Sequence, residues 1–137
     1  MIEYIHKIKV YYKDVDQMGI VYYSRYLEYF EQARTELLSS IGLDVTNIEK
    51  EGIRLPVVTS HCDYKKGAHL EDNLRIKTSI FKTPRAKLKI NYKVLSPDYN
   101  NLFAEGYTIH AFIKGNGKPT KIPSKILSKL TWAGNFS

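Results

Sequence analysis

The sequence contains a single cysteine, Cys62, among its 137 residues. One thiol cannot form an intramolecular disulfide, and it excludes a zinc site built on several thiolates. No segment approaches the roughly 18 apolar residues that a membrane span needs, and the early charges of Met1–Lys7 leave no apolar stretch long enough for a signal peptide. We therefore expect a protein of the reducing cytoplasm that does not insert into membranes.

Internal repeats and low-complexity stretches are also lacking, and the 43% hydrophobic content suffices for one continuous core. This composition predicts a single domain over residues 1–137. The 21 Lys and Arg residues exceed the 14 Asp and Glu residues, which gives a formal net charge of +7. Such an excess favours nucleic acid, an acidic carrier protein or a ligand with phosphates. Because the lysines are spread widely and no base-reading motif is present, we expect no nucleic-acid partner.

The first part of the chain changes from a strand pattern to a helix pattern. Residues Tyr4 to Tyr12 alternate between apolar and polar, as a half-buried strand does. The acidic stretch Lys13–Gly19 is typical of a loop. From Ser24 onward apolar residues recur at steps of three and four, which predicts one long helix with Ser24 as N-cap and Gly42 as a left-handed C-terminal cap. The predicted apolar face of this helix comprises Leu27, Phe30, Ala33, Leu37, Leu38 and Ile41.

Beyond Gly52 the pattern is strand-like almost to the end. We predict four further strands, joined mostly by turns too short for parallel crossovers, at about 57–64, 74–80, 87–94 and 102–114. Gly106 marks a bulge or a close backbone approach, and Pro123 begins a short amphipathic C-terminal helix. The prediction is an α+β fold in which a five-stranded, largely antiparallel sheet covers one long central helix. Its open edges favour pairing with a second copy of the chain.

The loop before the long helix has the pattern with the most chemical interest. Asp14 and Asp16 precede Gly19 and then the helix start, where unpaired N–H groups and the positive dipole end suit an oxygen that becomes negative during acyl transfer. A nearby carboxylate can attack the carbonyl or take a proton from water, and glycine lets the backbone approach a substrate. On spacing alone, a turn or a cap explains the pattern better than catalysis does. A metal site is disfavoured because no further run of acidic ligands follows Asp16.

An extended motif surrounds these residues and continues downstream. Its first part is Asp14-x-Asp16-x-x-Gly19-x-Val21-Tyr22-Tyr23-x-x-Tyr26-Leu27-x-x-Phe30-Glu31-x-Ala33-Arg34, and it goes on in Tyr64, Ala68, Asp72, Leu74, Ala104-Glu105-Gly106, Thr108, His110-Ala111, Gly117-Lys118-Pro119 and Ile122-Pro123. In this string the sequence resembles the hotdog-fold thioesterases of the 4-hydroxybenzoyl-CoA thioesterase class, and within them the small bacterial acyl-CoA thioesterases associated with the Tol-Pal system. The resemblance covers nearly the whole chain, and the family's architecture, a long helix wrapped by an antiparallel sheet, agrees with the predicted order of elements.

The resemblance implies roles for individual residues. The family's catalytic carboxylate falls on Asp16, as nucleophile or general base, and the backbone N–H that polarises the thioester carbonyl falls on Tyr23. Substrate-binding positions fall on four further residues: Tyr12, Gly19, Val21 and Tyr22. The implied activity is hydrolysis of an acyl-CoA. We expect a homodimer and, by further assembly, a homotetramer, although the sequence alone leaves the choice between dimer and tetramer open. No cofactor and no metal are expected, since CoA is part of the substrate.

Two alternatives stay open from the sequence. An acyl chain carried on acyl carrier protein is one candidate substrate, because that carrier is acidic and the chain is basic. The other is a non-enzymatic binding module, which would need neither Asp16 nor Gly19.

The chain departs from the family pattern at several positions. Some members have a histidine where this chain has Tyr23, so the resemblance carries over the backbone role there and not an imidazole. The loop before the third strand often reads Pro-Ala and then Gly-Asp, where this chain has Lys66-Gly67-Ala68 and Glu71-Asp72, and we expect a different loop shape. Lys114 replaces a common acidic residue, which suits either nucleotide phosphates or solvent.

Three further groups of polar residues have structural interpretations. Glu31 and Arg34 are three apart on the helix and are expected to form an ion pair or a subunit contact. Among the strand residues 61–63, Cys62 is expected to point away from its two neighbours, which excludes a Cys–His dyad. His110 is expected to be packed and hydrogen-bonded.

Overall fold

The computed structural model describes residues 1–136. The strands in this part of the chain are β1 (Ile2–Lys9), β2 (Ile53–Arg54), β3 (Val57–Tyr64), β4 (Asn73–Ile80), β5 (Lys87–Leu95), β6 (Leu102–Ala111) and β7 (Ile113–Lys114). Its α-helices are α1 (Arg25–Ser40), α2 (Val45–Lys50) and α3 (Ser124–Gly134). Five strands form one antiparallel sheet in the order β1-β4-β5-β6-β3, and β2 pairs with β7. The predicted α+β class, with a five-stranded antiparallel sheet, one long helix and a C-terminal helix, is confirmed.

The inner face of the sheet packs against α1, which contacts β1, β4 and β3. Strand β5 shows why the sequence forms this layer, because its inner residues are buried while Lys87, Lys89 and Lys93 of the outer face are exposed. Phe30 of α1 stacks on Tyr92 of β5, with ring centroids 4.2 Å apart and an interplanar angle of 8°. This contact fixes the middle of the helix over the middle of the sheet.

Helix α1 ends as its sequence predicts. Gly42 has a φ of +77°, and the Leu43 N–H donates to the Leu38 carbonyl at 2.8 Å, which satisfies one of the last free carbonyls of the helix. At the other end Ser24 holds the N-cap position, but its side chain makes no capping hydrogen bond. None of the helices within residues 1–136 is long and apolar enough to cross a membrane.

Several element predictions are wrong in detail. The first strand ends at Lys9, and Tyr12 lies in a short 3-10 turn with its side chain 83% exposed. On α1, Leu27 is 40% exposed, because Tyr26 and Tyr29 turn toward the sheet in its place. The strand predicted at 102–114 is interrupted at Phe112, which is buried, and the chain then leaves β6 to pair with β2. Helix α2 and strand β2 were not predicted.

Gly106 is the position where the sheet admits no side chain. A β-carbon built there would overlap the carbonyl oxygen of His61 on the neighbouring strand β3. The ladder runs without a bulge at this point, since Gly106 pairs in register with Cys62. Of the two explanations offered for this glycine, the close backbone approach is correct.

Candidate active site

The acidic loop folds into a tight hairpin directly before α1. Val15 and Val21 form a bridge, and the Asp16 N–H donates to the Ile20 carbonyl at 2.9 Å. The Gly19 N–H donates to the Asp16 carbonyl at 3.0 Å, and Gly19 itself has a φ of +78°. This left-handed conformation favours glycine, so the Asp-x-x-Gly spacing is what the turn requires. The turn accounts for the spacing and leaves a chemical role for the Asp16 side chain open.

One oxygen of the Asp16 carboxylate is hydrogen-bonded within the turn, and the other is free. Its Oδ1 accepts hydrogen bonds from the N–H of Met18 at 2.8 Å and from the N–H of Ile20 at 3.4 Å. Among residues 1–136, Oδ2 has no hydrogen-bond partner and the carboxylate forms no ion pair. The side chain is half-buried. A carboxylate that is oriented by its own turn yet has a free oxygen is suited to act as base or nucleophile.

Asp14, the first aspartate of the pair, has a different environment. It is 2% exposed, and its two oxygens accept from the Tyr11 N–H and the Lys13 Nζ, each at 3.0 Å. Burial by itself raises the pKa of this carboxyl, but the Tyr11 hydrogen bond and the Lys13 charge outweigh it, so that the pKa lies below its ordinary value. The buried Tyr29 hydroxyl beside it has its pKa raised, first by burial and then by the Asp14 charge. Asp14 thus serves the structure of the loop.

The start of α1 lies against this hairpin. The Tyr22 N–H donates to the Asp14 carbonyl at 2.9 Å, and the next N–H, that of Tyr23, has no acceptor within the described residues 1–136. This free N–H, two residues before the first helical residue Arg25, lies at the positive end of the helix dipole. The pKa of Tyr22 is raised mainly by Tyr23, with a smaller contribution from the negative charge of Asp16.

Two further tyrosine rings lie beside the exposed ring of Tyr23. Tyr22 lies on one side, with ring centroids 4.5 Å apart, and Tyr64 at the end of β3 lies on another, at 6.3 Å. The Tyr64 hydroxyl donates to the Tyr23 carbonyl at 3.2 Å, and its ring meets the buried Tyr26 edge-on at 5.5 Å. Burial and the neighbouring Cys62 raise the pKa of Tyr64 to about 12, so the phenol stays protonated near neutral pH and keeps this donor. Although Tyr64 belongs to the motif, it was not predicted as a site residue.

The other predicted substrate-binding residues are placed differently. Val21 is 5% exposed, and its N–H donates to the Ala68 carbonyl at 2.9 Å, so its side chain belongs to the core. Tyr12 is exposed on the 3-10 turn. Gly19 and Tyr22 lie on the hairpin and at the helix start, beside Asp16 and Tyr23. The structure therefore brings four of the six predicted residues together, and it presents Tyr12 to solvent.

The loop before β4 is hydrogen-bonded to the hairpin that contains Asp16. Ile20 pairs with His69, and the Leu70 N–H donates to the Gly19 carbonyl at 3.3 Å. Glu71 adopts a left-handed φ of +70° while its N–H donates to the Val10 carbonyl at 3.0 Å. The family often has glycine at this position, and glycine adopts that conformation without strain. Lys114 lies on β7 with an exposed side chain.

Of the three remaining polar groups, two follow the predictions, and for the third one of the two predicted alternatives is absent. His61 and Asp63 pair on one face of β3 at 3.1 Å while Cys62 lies on the other face, so no Cys–His dyad exists there. His110 is 3% exposed and hydrogen-bonded through both ring nitrogens, as predicted. The ion pair between Glu31 and Arg34 is absent from residues 1–136, where α1 has an Arg25–Glu28 ion pair at 2.9 Å instead. The alternative for these two residues, a subunit contact, stays a prediction.

Metal ligation is not suggested by the side-chain arrangement. No group of three or more His, Cys, Asp or Glu side chains converges anywhere in residues 1–136. Asp16 is therefore not part of such a group in the described chain.

Comparison with known proteins identifies relatives over most of the chain. The family model of the thioesterase-like superfamily matches residues 10–130. A putative esterase of Aquifex aeolicus is 30% identical over 127 residues, which cover 93% of this chain and 97% of the relative. The acyl-CoA thioesterase YbgC of Haemophilus influenzae is 30% identical over 122 residues, which cover 87% of this chain and 88% of the relative.

A solved structure has the same architecture. The crystal structure of a hypothetical protein from Thermus thermophilus superimposes with a TM-score of 0.87 at 30% sequence identity, over 94% of this chain and 98% of that one. The match confirms the hotdog fold that the motif predicted.

Proposed function

Because this chain belongs to the thioesterase-like superfamily, we propose that it hydrolyses acyl-CoA thioesters to free acid and CoA, with Asp16 as the catalytic carboxylate. The observation that carries this proposal is the free carboxylate oxygen of Asp16 on the hairpin that leads directly into the helix start, where the Tyr23 N–H also lacks an acceptor within the described residues. An electrophilic carbonyl bound between them would meet a base on one side and a hydrogen-bond donor on the other. The absence of a disulfide framework favours action in the cytoplasm.

In the proposed reaction the thioester carbonyl oxygen accepts the hydrogen bond of the Tyr23 N–H. As negative charge develops on that oxygen, the fixed N–H and the positive end of α1 stabilise it more than they stabilise the ground state. Two routes then lead to the same products. Asp16 takes a proton from water while the water oxygen adds to the carbonyl carbon, or Asp16 itself adds and forms a mixed anhydride that water then cleaves. In both routes the C–S bond breaks and the CoA thiolate leaves and takes up a proton.

The two routes differ in the fate of the water oxygen. During one turnover in isotopically labelled water, the covalent route labels the Asp16 carboxylate when water attacks the Asp16 carbonyl of the anhydride. Attack at the acyl carbonyl of the anhydride, like the direct route, places the label only in the released acid. Label found by mass spectrometry in the peptide that contains Asp16 therefore establishes the covalent route.

The proposed activity is tested by the release of free thiol from a panel of aromatic, short-chain and long-chain acyl-CoAs. We expect saturable hydrolysis of at least one member, with kcat/KM on the order of 10⁴ M⁻¹s⁻¹ or higher. Failure to hydrolyse any thioester in the panel, by protein that is folded, would refute the proposal.

An acyl group on acyl carrier protein is the second candidate substrate. The outer face of the sheet favours it, since β5 presents Lys87, Lys89 and Lys93 there and an acidic carrier is attracted to such a face. Comparing one acyl group on CoA and on the carrier protein separates the candidates. A clear preference for the protein-bound substrate would replace the first proposal by the second.

The proposal includes a homodimer formed through β3. This strand is at the edge of the sheet, and all but one of its residues are exposed, including the apolar Val57 and Val58. An open edge with apolar side chains pairs readily with a second copy about a two-fold axis. Further assembly of dimers into a tetramer is part of the same proposal, and the mass in solution distinguishes the two states.

A further inference from the structure

A concave region lies on the inner side of the sheet, away from the acidic hairpin. It is a cavity of about 410 Å³ between α1, α2, the segment before β3 and strands β5 and β6. Most of the lining is apolar: Leu38, Val45, Ile48, Ile53, Leu55, Pro56, Leu88, Ile90 and Ile113. An apolar pocket of this size with a few polar groups is typical of a site for a small organic ligand.

The charged side chains of the cavity are two guanidiniums, Arg34 and Arg54, and one carboxylate, Glu49. Arg34 is half-buried, whereas the other two are exposed. Arg34 forms no ion pair with any residue of the described chain. A guanidinium that is partly removed from water and has no carboxylate partner is a strong site for an anionic oxygen.

The other polar groups at this wall are already satisfied by one another. The His110 Nδ1–H donates to the Leu55 carbonyl at 3.1 Å, so Nε2 is left as an acceptor for the Thr108 hydroxyl at 2.8 Å. Tyr92 then donates to the Thr108 Oγ1 at 2.6 Å. Burial and the Arg34 charge lower the pKa of His110, which keeps it neutral. Burial raises the pKa of Tyr92, and the nearby Arg34 guanidinium lowers it. Arg34 has no carboxylate partner within residues 1–136, so this guanidinium, with its five N–H donors, can still bind an anionic ligand.

Pairing of two β3 edges would bring this cavity to the active site of the other subunit. Antiparallel pairing over the full strand places Val57 opposite Tyr64 of the partner subunit. Leu55 and Pro56 line the cavity and directly precede β3, while Tyr64 contacts Tyr23 at the helix start. In such a dimer the cavity of one subunit would open beside the proposed thioester position of the other.

We propose that the cavity of one subunit receives the acyl group hydrolysed at Asp16 of the partner subunit, and that Arg34 binds a carboxylate at the far end of that group. The substrates that fit this arrangement are CoA thioesters of dicarboxylic acids. This inference rests on the proposed function and on the β3-paired dimer. Arg34 is a specificity-determining residue in it, because the guanidinium contacts the acyl group far from the scissile bond.

The test compares matched acyl-CoAs with and without a terminal carboxylate, such as glutaryl-CoA against valeryl-CoA and adipyl-CoA against hexanoyl-CoA. For the wild-type protein we expect kcat/KM to be higher for the carboxylated member of at least one pair. Arg34→Met should lower that preference by about tenfold to a hundredfold, which is the value of a charge-assisted hydrogen bond. Arg34→Lys should restore part of it, and Arg85→Met, which removes a guanidinium from an exposed turn, should leave it unchanged.

A mixed dimer tests whether the two groups come from different subunits. Subunits with Asp16→Asn and subunits with Arg34→Met are unfolded together and refolded, so that mixed dimers form. One of the two sites of a mixed dimer then has both Asp16 and Arg34, and hydrolysis of the carboxylated substrate should rise above that of either variant alone. No rise in verified mixed dimers would overturn the inference.

The outcomes for this inference and for the proposed function are separate. Equal or better hydrolysis of the uncharged acyl-CoAs by the wild type, or an unchanged preference in Arg34→Met, would refute the role of Arg34 while thioester hydrolysis stands. Absence of hydrolysis with every thioester would refute both.

Discussion

At the scale of residues, two aspartates of one short motif have separate tasks because their surroundings differ. Asp14 is buried and both of its oxygens are hydrogen-bonded, whereas Asp16 is half-buried and keeps one oxygen free. The spacing of the motif does not distinguish them, since both follow the same strand and precede the same helix. Their environments distinguish the two aspartates, because a carboxylate with no free oxygen cannot accept a proton from a substrate or from water without losing the hydrogen bonds that hold the loop.

Asp14→Asn is predicted to affect stability and its pH dependence. The folded protein holds the pKa of Asp14 below its ordinary value of 3.8, so the charged form stabilises the fold. That contribution is fully present above about pH 4 and is lost as the pH falls through the lowered pKa. The free energy of unfolding of the variant should be about 1–3 kcal/mol lower than that of the wild type at pH 7, and it should decline less on acidification. Urea unfolding at pH 7 and pH 3 measures both effects, and an unchanged acid decline would contradict this assignment.

The aromatic contact at the helix start supports a second prediction at the same scale. Tyr64→Phe keeps the ring but removes the hydroxyl that donates to the Tyr23 carbonyl. The loss of one partly exposed hydrogen bond should cost about 0.5–1.5 kcal/mol of unfolding free energy. If the bond also fixes the Tyr23 peptide, kcat should fall severalfold with little change in KM. A change in KM alone would mean that Tyr64 binds substrate and does not position the peptide.

At the scale of elements, strands with several alternations and the long amphipathic helix could be predicted, and short elements could not. Strand β5 shows its period of two over nine residues, so the sequence identifies its buried face. Helix α2 has six residues and β2 has two, which is too few for a periodic pattern to appear. Their positions depend on the partner strand β7 and on the packing around α1, and neither is visible locally.

Gly106 provides a matched test at this scale. Gly106→Ala puts a β-carbon into the backbone of β3. The two strands can make room for it only by moving apart, which costs hydrogen bonds between them. We therefore expect the free energy of unfolding to fall by about 2–4 kcal/mol. Gly115→Ala is the control, because a β-carbon there meets nothing within 4 Å. Thermal or urea unfolding compares the two. Similar stability of both variants would show that β3 and β6 are spaced more widely than described.

At the scale of the whole molecule, the site depends on contacts that are distant in sequence. Tyr64 is 41 residues from Tyr23, and only the order of strands brings the end of β3 to the start of α1. The sequence motif contains both residues but gives no distance between them. For the same reason the cavity beside Arg34 could not be predicted, since its walls come from two helices, two long strands and the segment before β3.

The proposed dimer predicts different effects at the two edges of the sheet. Val58→Lys places a charge on the exposed β3 edge and should raise the dimer dissociation constant by about tenfold or more. Ile5→Lys makes the same change on β1, the opposite edge, and should leave the dimer intact. Sedimentation at several protein concentrations measures both. Dissociation by Ile5→Lys and not by Val58→Lys would move the interface to β1.

The most direct test of the central claim is the turnover number of Asp16→Asn on the best acyl-CoA substrate. The substitution keeps the shape and the turn hydrogen bonds of the side chain and removes its charge, so the fold should be retained. We predict a decrease in kcat of about 10²–10⁴-fold with unfolding stability close to that of the wild type. Turnover within a few fold of wild type would contradict the account, because the carboxylate beside the helix start would then take no part in the reaction.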